Sequence, residues 1–274
     1  MGLRQERLER IWSQGFGLAG FGARYDASRP KPEPALLDLL CRAVGLARPR
    51  LVVDLGSGTG LSTFVWADRA EQVVGVEPNP EMRRHAEARG AENVSFVDRF
   101  ADESGLDDGC ADIVTIAHAF NWMDPGPTLA EVARVLRPGG LLAIFDYHWP
   151  PYITHAIDAS FKRHLDAVDV ASGGAHTRAI AANLSTTEAI RASGHFAHVR
   201  ETFGHQVDEI DAEGIVDLAR TSGAAARLLA EGWTEDDLAL TDLARTARTK
   251  LGSGRAPAWI GYQLRLAVTP RESA

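Results

Sequence analysis

Cysteine is scarce in this chain. Cys41 and Cys110 are the only two among 274 residues; they are far apart, lack metal-ligand spacing and form no disulfide framework. Long apolar runs are missing too. No stretch reaches the roughly 18 consecutive apolar residues that a membrane-spanning helix needs. The opening MGLRQERLERIW is charged where a signal peptide would carry an apolar segment. Positive charge is in deficit: 29 Lys and Arg stand against 37 Asp and Glu, for a net charge of −8 and a pI near 5.6. That balance argues against a partner whose phosphates must be neutralised. There is no internal repeat or low-complexity tract, and no His, Cys, Asp and Glu group with metal-ligand spacing. Together these absences predict a reduced, cytoplasmic globule with no membrane, nucleic-acid or metal partner. They leave the oligomeric state open.

What remains is ordinary in bulk, with 45% hydrophobic and 24% charged residues, enough for one large domain or a domain with a cap. Its most informative stretch is Leu51-Val52-Val53-Asp54-Leu55-Gly56-Ser57-Gly58-Thr59-Gly60. An apolar, β-branched run reads as a strand covered on both faces. Alternating glycines then let backbone N–H groups come close to a ligand that a Cβ would push away. Further strand-like runs at Gln72–Glu77, Val94–Val97, Asp112–Ala117 and Leu141–Phe145 alternate with helix-like segments at 60–69, 80–89 and 127–136. A helix from Pro34 to about Leu46 precedes them. Such alternation predicts a parallel sheet with helices on both faces. Arg137-Pro138-Gly139-Gly140 reads as a helix stop. Beyond Phe145 the rhythm changes: residues 151–192 and 211–250 read as helices, with strands at Phe196–Val207 and Trp259–Val268.

Four segments follow from this reading. Residues 1–32 form an N-terminal arm and lid, 33–149 a Rossmann-like core, 150–255 a mostly helical cap with one sheet strand near 196–207, and 256–274 the final strand and tail. The cap would be inserted after the fifth strand and between the last two, at the sheet end where ligands bind in open α/β folds.

A dinucleotide-binding turn would need Gly or Ala at position 61, where this chain has Leu61; its third glycine comes one place early, at Gly60. Glu77 ends the second strand, where a carboxylate can accept hydrogen bonds from both ribose hydroxyls. It is followed by Asn79, a better N-cap for the next helix than Glu77 itself.

These residues resemble class I S-adenosylmethionine-dependent methyltransferases, and most closely the group called methyltransferase type 11. The resemblance rests on Asp54-Leu55-Gly56-Ser57-Gly58-Thr59-Gly60, Glu77, Asp107-Asp108-Gly109-Cys110-Ala111-Asp112-Ile113-Val114 and Leu136-Arg137-Pro138-Gly139-Gly140-Leu141-Leu142, and it covers residues 25–146 or so. It implies a seven-stranded, mostly parallel sheet whose last strand is antiparallel, and S-adenosylmethionine as cofactor. By the same resemblance Asp54, Gly56, Ser57, Gly58 and Gly60 would form the cofactor turn and Glu77 would hold the ribose. Pro78, Met82, Phe100 and Ala101 would flank the adenine, and Ala117 would end the fourth strand beside the cofactor. Tyr25 and Arg29 would close over the cofactor carboxylate, Arg29 as a charge-assisted donor. The acidic residue that usually follows the third strand is replaced by Arg99-Phe100-Ala101, and a family histidine by Asn121.

Methyl transfer from a sulfonium asks the protein chiefly to align acceptor, carbon and sulfur and to exclude water. A hydroxyl acceptor also needs a base, and His118 and His148, each just past a strand end, are the candidates. Phe16, Trp122, Tyr147 and Trp149 could line an apolar pocket for a small organic acceptor. Oxygen, nitrogen and carbon acceptors all stay open. The Ala, Arg and Gly bias fits a GC-rich bacterial genome and specialised metabolism. Alternatives are an NAD(P)-dependent oxidoreductase, which Leu61 opposes, a non-catalytic S-adenosylmethionine-binding protein, and an RNA methyltransferase, which the acidity opposes.

Overall fold

The computed structural model describes Glu6 and residues 21–271. Phe16 and most of the expected N-terminal arm therefore lie outside the described residues. The chain divides into two units. One comprises Lys31–Asp146, Ala182–Gly204 and Gln263–Ala274; the other comprises the segment ending at Pro30, Tyr147–Ala181 and His205–Tyr262.

Strands β1 (Leu51–Leu55), β2 (Gln72–Val76), β3 (Val94–Val97), β4 (Ala111–Ala117), β5 (Leu136–Tyr147), β6 (His198–Asp211) and β7 (Arg255–Val268) lie in the order β3-β2-β1-β4-β5-β7-β6. The first unit carries β1 to β4, most of β5, and the parts of β6 and β7 that end at Gly204 and begin at Gln263. β1 pairs parallel with β2 and with β4, and β4 parallel with β5. β7 is antiparallel to β5: Thr269 donates to the Gly140 carbonyl and His148 to that of Gly261, so one strand retreats as the other advances. This is the expected seven-stranded, mostly parallel sheet with an antiparallel last strand.

The central strands β1, β4 and β5 are mostly apolar because both of their faces are covered. On β5, Leu142 and Ile144 belong to one buried cluster, with Leu129 and Val132 from α5 (Pro125–Val135). Their neighbours Leu141, Ala143 and Phe145 belong to another, with Leu36, Leu37 and Leu40 from α2 (Pro34–Val44). The period-2 alternation of a strand thus divides one sequence run between two cores. Pro34 opens α2, and Gly45, at φ +71°, closes it. The short helix α3 (Leu61–Phe64) follows β1, and α4 (Pro80–Glu87) follows β2. Asn79 caps α4 as its sequence predicts: its side chain accepts from the N–H groups of Glu81 and Met82 at 2.9 and 3.3 Å.

β5 begins earlier than its apolar core implies. Arg137-Pro138-Gly139-Gly140 ends α5 but is itself strand, because Ala111 pairs with Leu136 and the Gly139 N–H donates to Pro270. Pairing with two neighbours outweighs the local Pro/Gly signal.

The second unit is mainly helical. Helix α1 (Phe21–Ser28) precedes the sheet in sequence, and α6 (His155–Ala171), α8 (Ala212–Arg220), α9 (Gly223–Ala230) and α10 (Leu240–Leu251) follow it. Their apolar faces share a core of their own that includes Ile157, Phe161, Ile215, Leu228 and Leu243. The helix α7 (Ala175–Ala192) begins in this unit and ends in the other.

Candidate functional site

The strand order reverses direction between β1 and β4, the place where open α/β sheets form a crevice beyond their carboxyl ends. After β1 comes the glycine turn. Gly56, Gly58 and Gly60 have φ values of +69°, +55° and +84°, a region that other residues enter at a cost. Gly56 is constrained by space as well. A Cβ there would lie 2.6 Å from the Ala119 Cβ and 2.9 Å from the Met123 methyl.

The turn is braced from beneath by Asp54, which is fully buried. Its carboxylate accepts from the hydroxyls of Ser62, Thr63 and Thr115, each at 2.7 Å. Burial pushes the Asp54 carboxyl up, and these three hydroxyls act against that. Its bonds thus run to α3 and β4, which fix the turn between them.

Glu77 stands just past β2. One carboxylate oxygen accepts from the Gly58 N–H and the other from the Asn79 N–H, both at 2.8 Å. Each oxygen retains capacity for a second donor. Burial pushes Glu77 up to about 7, although the two N–H groups and the Arg83 guanidinium pull the other way. A carboxylate held this way gains from further donors. Two more polar groups nearby are buried without a partner, the hydroxyls of Ser57 and Thr59.

Pro78 and Met82 are buried beside Glu77, and the Met82 methyl would lie 3.5 Å from a Cβ at Gly58. Phe100 and Ala101 are buried in the loop after β3. Ala117 ends β4. The ten candidates from Asp54 to Ala101, with Ala117, therefore lie at the carboxyl ends of β1 and β4 or in the segments that follow β1, β2 and β3, all in one unit.

His118 follows β4 with φ +53°, and its N–H donates to the Phe145 carbonyl at 3.0 Å. Its Nδ1 lies 3.9 Å from Asp146 Oδ1. Trp122, on the following 3₁₀ turn Phe120–Trp122, is about half exposed.

The helical unit holds the other candidates. Arg29 donates to the Thr221 carbonyl at 2.8 Å. Its guanidinium lies 4.8 Å from the Tyr25 ring centroid and 4.5 Å from that of Trp149. Burial holds the Arg29 pKa below its usual value, with the two tyrosines Tyr25 and Tyr147 opposing. The Tyr147 hydroxyl donates to the Pro30 carbonyl at 2.8 Å. His148 is exposed and bonds through its backbone to Gly261. Among the described residues, no group of His, Cys, Asp and Glu could hold a metal ion.

Sequence reasoning grouped Asp146 with the His148 site and gave no role to Arg265; the two form a buried pair at 2.7 Å, with the other Asp146 oxygen towards His118. The available signal was an arginine between Leu264 and Leu266 in a strand otherwise destined for the core.

A positive-φ glycine turn, a carboxylate with acceptor capacity on both oxygens and two buried hydroxyls without a partner fit S-adenosylmethionine in the crevice after β1. The architecture is the Rossmann-like fold that solved methyltransferases share. Residues 53–144 match the family model described as a methyltransferase domain. Over 135 residues the chain is 42% identical to an uncharacterized methyltransferase of Mycobacterium tuberculosis, covering 49% of this chain and 53% of that protein. Over 120 residues it is 42% identical to a demethylmenaquinone methyltransferase of Thermus thermophilus, covering 40% and 54%. The chain thus spans about half the length of these curated relatives. A protein of Anaeromyxobacter dehalogenans provisionally assigned as a type II methyltransferase shares the fold, with a TM-score of 0.61 at 20% identity over 88% of this chain and 97% of that one.

Proposed function

We propose that this protein transfers a methyl group from S-adenosylmethionine to a small organic acceptor. The observation that carries this reading is the Glu77 carboxylate, tied by Gly58 to the glycine turn and retaining acceptor capacity on both oxygens. Glu77 would hold the ribose hydroxyls. Gly56, Gly58 and Gly60 would pass beneath the cofactor, and Ser57 and Thr59 would give their unpartnered hydroxyls to its polar groups. Pro78, Met82, Phe100 and Ala101 would enclose the adenine. Bound there, the cofactor would supply a methyl group already activated on a sulfonium.

The protein's own work is then alignment and exclusion of water. His118 is the base we assign where the acceptor must lose a proton. Its positive φ turns it out of the strand path at the end of β4. A small acceptor agrees with the relative named as a demethylmenaquinone methyltransferase and with the acidic composition. Trp122, about half exposed on this unit, would contact it.

Calorimetric titration with S-adenosylhomocysteine tests the reading. Glu77→Ala should weaken binding by about 1–3 kcal/mol through loss of charged hydrogen bonds. NAD should not bind. Binding of NAD with none of S-adenosylhomocysteine would instead mark a dinucleotide enzyme.

A further inference from the structure

We propose that Asp146 and Arg265 are positioning residues that hold His118 as a general base, so that the acceptor is a hydroxyl compound. The inference rests on the methyltransferase reading above. Asp146 ends the run of β5 that lies in this unit, and Arg265 stands beside it on β7. One Asp146 oxygen accepts from Arg265 Nη1 at 2.7 Å. The other lies 3.9 Å from His118 Nδ1, an electrostatic contact rather than a hydrogen bond. Catalytic contacts are commonly long before the reactants are in place.

The pair is expensive. The Arg265 side chain is wholly buried and that of Asp146 nearly so. Apolar side chains of similar volume would serve stability as well or better. The polar chain continues across the sheet. Arg265 Nη2 donates to Gln263 Oε1 at 2.5 Å, Gln263 donates to Glu201 of β6, and Glu201 accepts from Thr187. The charged groups around the pair are therefore His118, Glu201 and, near Glu201, Arg191. A chain of polar groups that leads from a partly exposed edge strand through a buried ion pair to one partly exposed histidine needs a purpose beyond packing. Of its ends, the histidine is the imidazole, the side chain suited to proton transfer, and it stands just past the carboxyl end of β4.

Nδ1 is the ring nitrogen nearer the carboxylate; a proton kept there leaves Nε2 to accept one. The acceptor hydroxyl passes its proton to Nε2. Its oxygen forms the new bond to the methyl carbon as the carbon–sulfur bond breaks, and that electron pair stays on sulfur. The imidazolium so formed is stabilised by Asp146, while Arg265 keeps Asp146 ionised. An amine or an already ionised acceptor would have no need of this device.

Nuclear magnetic resonance titration of histidine-labelled protein saturated with S-adenosylhomocysteine tests the assignment, with the His118 signal identified by its loss in His118→Gln. Asp146→Asn should move the His118 midpoint about one pH unit lower. Because that change strands a buried cation, the double substitution Asp146→Asn with Arg265→Met is the companion variant, and it should give the same shift. With a series of simple phenols as methyl acceptors, His118→Gln should slow weakly acidic phenols at least tenfold more than 4-nitrophenol, which ionises unaided. A midpoint unmoved in both variants, or an equal loss across the phenols, would overturn the proposal and leave the methyltransferase reading intact. Failure of S-adenosylhomocysteine to bind the unaltered protein would instead remove the reading beneath it.

Discussion

Glu77 shows how one side chain can report on its ligand. Its two oxygens each hold one backbone N–H and are buried enough to raise the carboxyl to about 7. In the proposed complex the ribose hydroxyls would donate to the ionised form, so ligand binding would favour loss of the proton. Affinity for S-adenosylhomocysteine should therefore fall as pH drops below about 7, approaching tenfold per pH unit. Glu77→Gln should bind weakly and without that slope. Calorimetry between pH 5.5 and 8 measures both, and a wild-type affinity independent of pH would contradict the ribose role. Asp54, by contrast, spends its carboxylate on Ser62, Thr63 and Thr115. Its replacement should loosen the turn itself, lowering thermal stability along with affinity.

At the scale of the element, the turn after β1 depends on geometry that only glycine supplies cheaply. Gly56→Ala combines φ +69° with a Cβ 2.6 Å from that of Ala119. It should lower stability by about 1–3 kcal/mol and weaken S-adenosylhomocysteine binding, with melting curves and calorimetry as the readouts. Gly58→Ala meets only the Met82 methyl at 3.5 Å and should cost less. Elements of this kind were legible in the sequence because local chemistry determines them. The strands β1 and β3 fall at Leu51–Leu55 and Val94–Val97 as read, and Asn79 caps α4. What local chemistry does not determine was not legible. The extension of β5 back through Pro138 depends on pairing with β4 and β7. The contact of Asp146 with Arg265 depends on strands brought together from far apart in the chain. Neither leaves a trace in a window of neighbouring residues.

For the whole molecule, the buried carboxyls make stability a function of pH. Glu77 sits near 4.5 in an unfolded chain and about 7 in the fold. Between those values the folded protein holds a proton that the unfolded chain has released. Stability is therefore lost as pH rises through this window, by at most about 3 kcal/mol for this group. Asp146, raised by burial to about 6 against the pull of Arg265, acts in the same sense. Asp112 and Glu131 are held low by Arg137 and Arg134 despite their own burial penalties. They act only in more acid solution. The ligand-free protein should thus melt at a higher temperature at pH 5 than at pH 7.5. S-adenosylhomocysteine should raise the melting temperature more at the higher pH. A melting temperature rising steadily from pH 5 to 7.5 would contradict this.

The central claim, that S-adenosylmethionine lies in the crevice after β1 with its ribose on Glu77, is tested most directly by calorimetric titration of S-adenosylhomocysteine into the wild-type and Glu77→Ala proteins. Stoichiometric binding to the first and affinity lower by about tenfold or more in the second are expected. Equal affinity in the two, or no binding to the wild type, would contradict it.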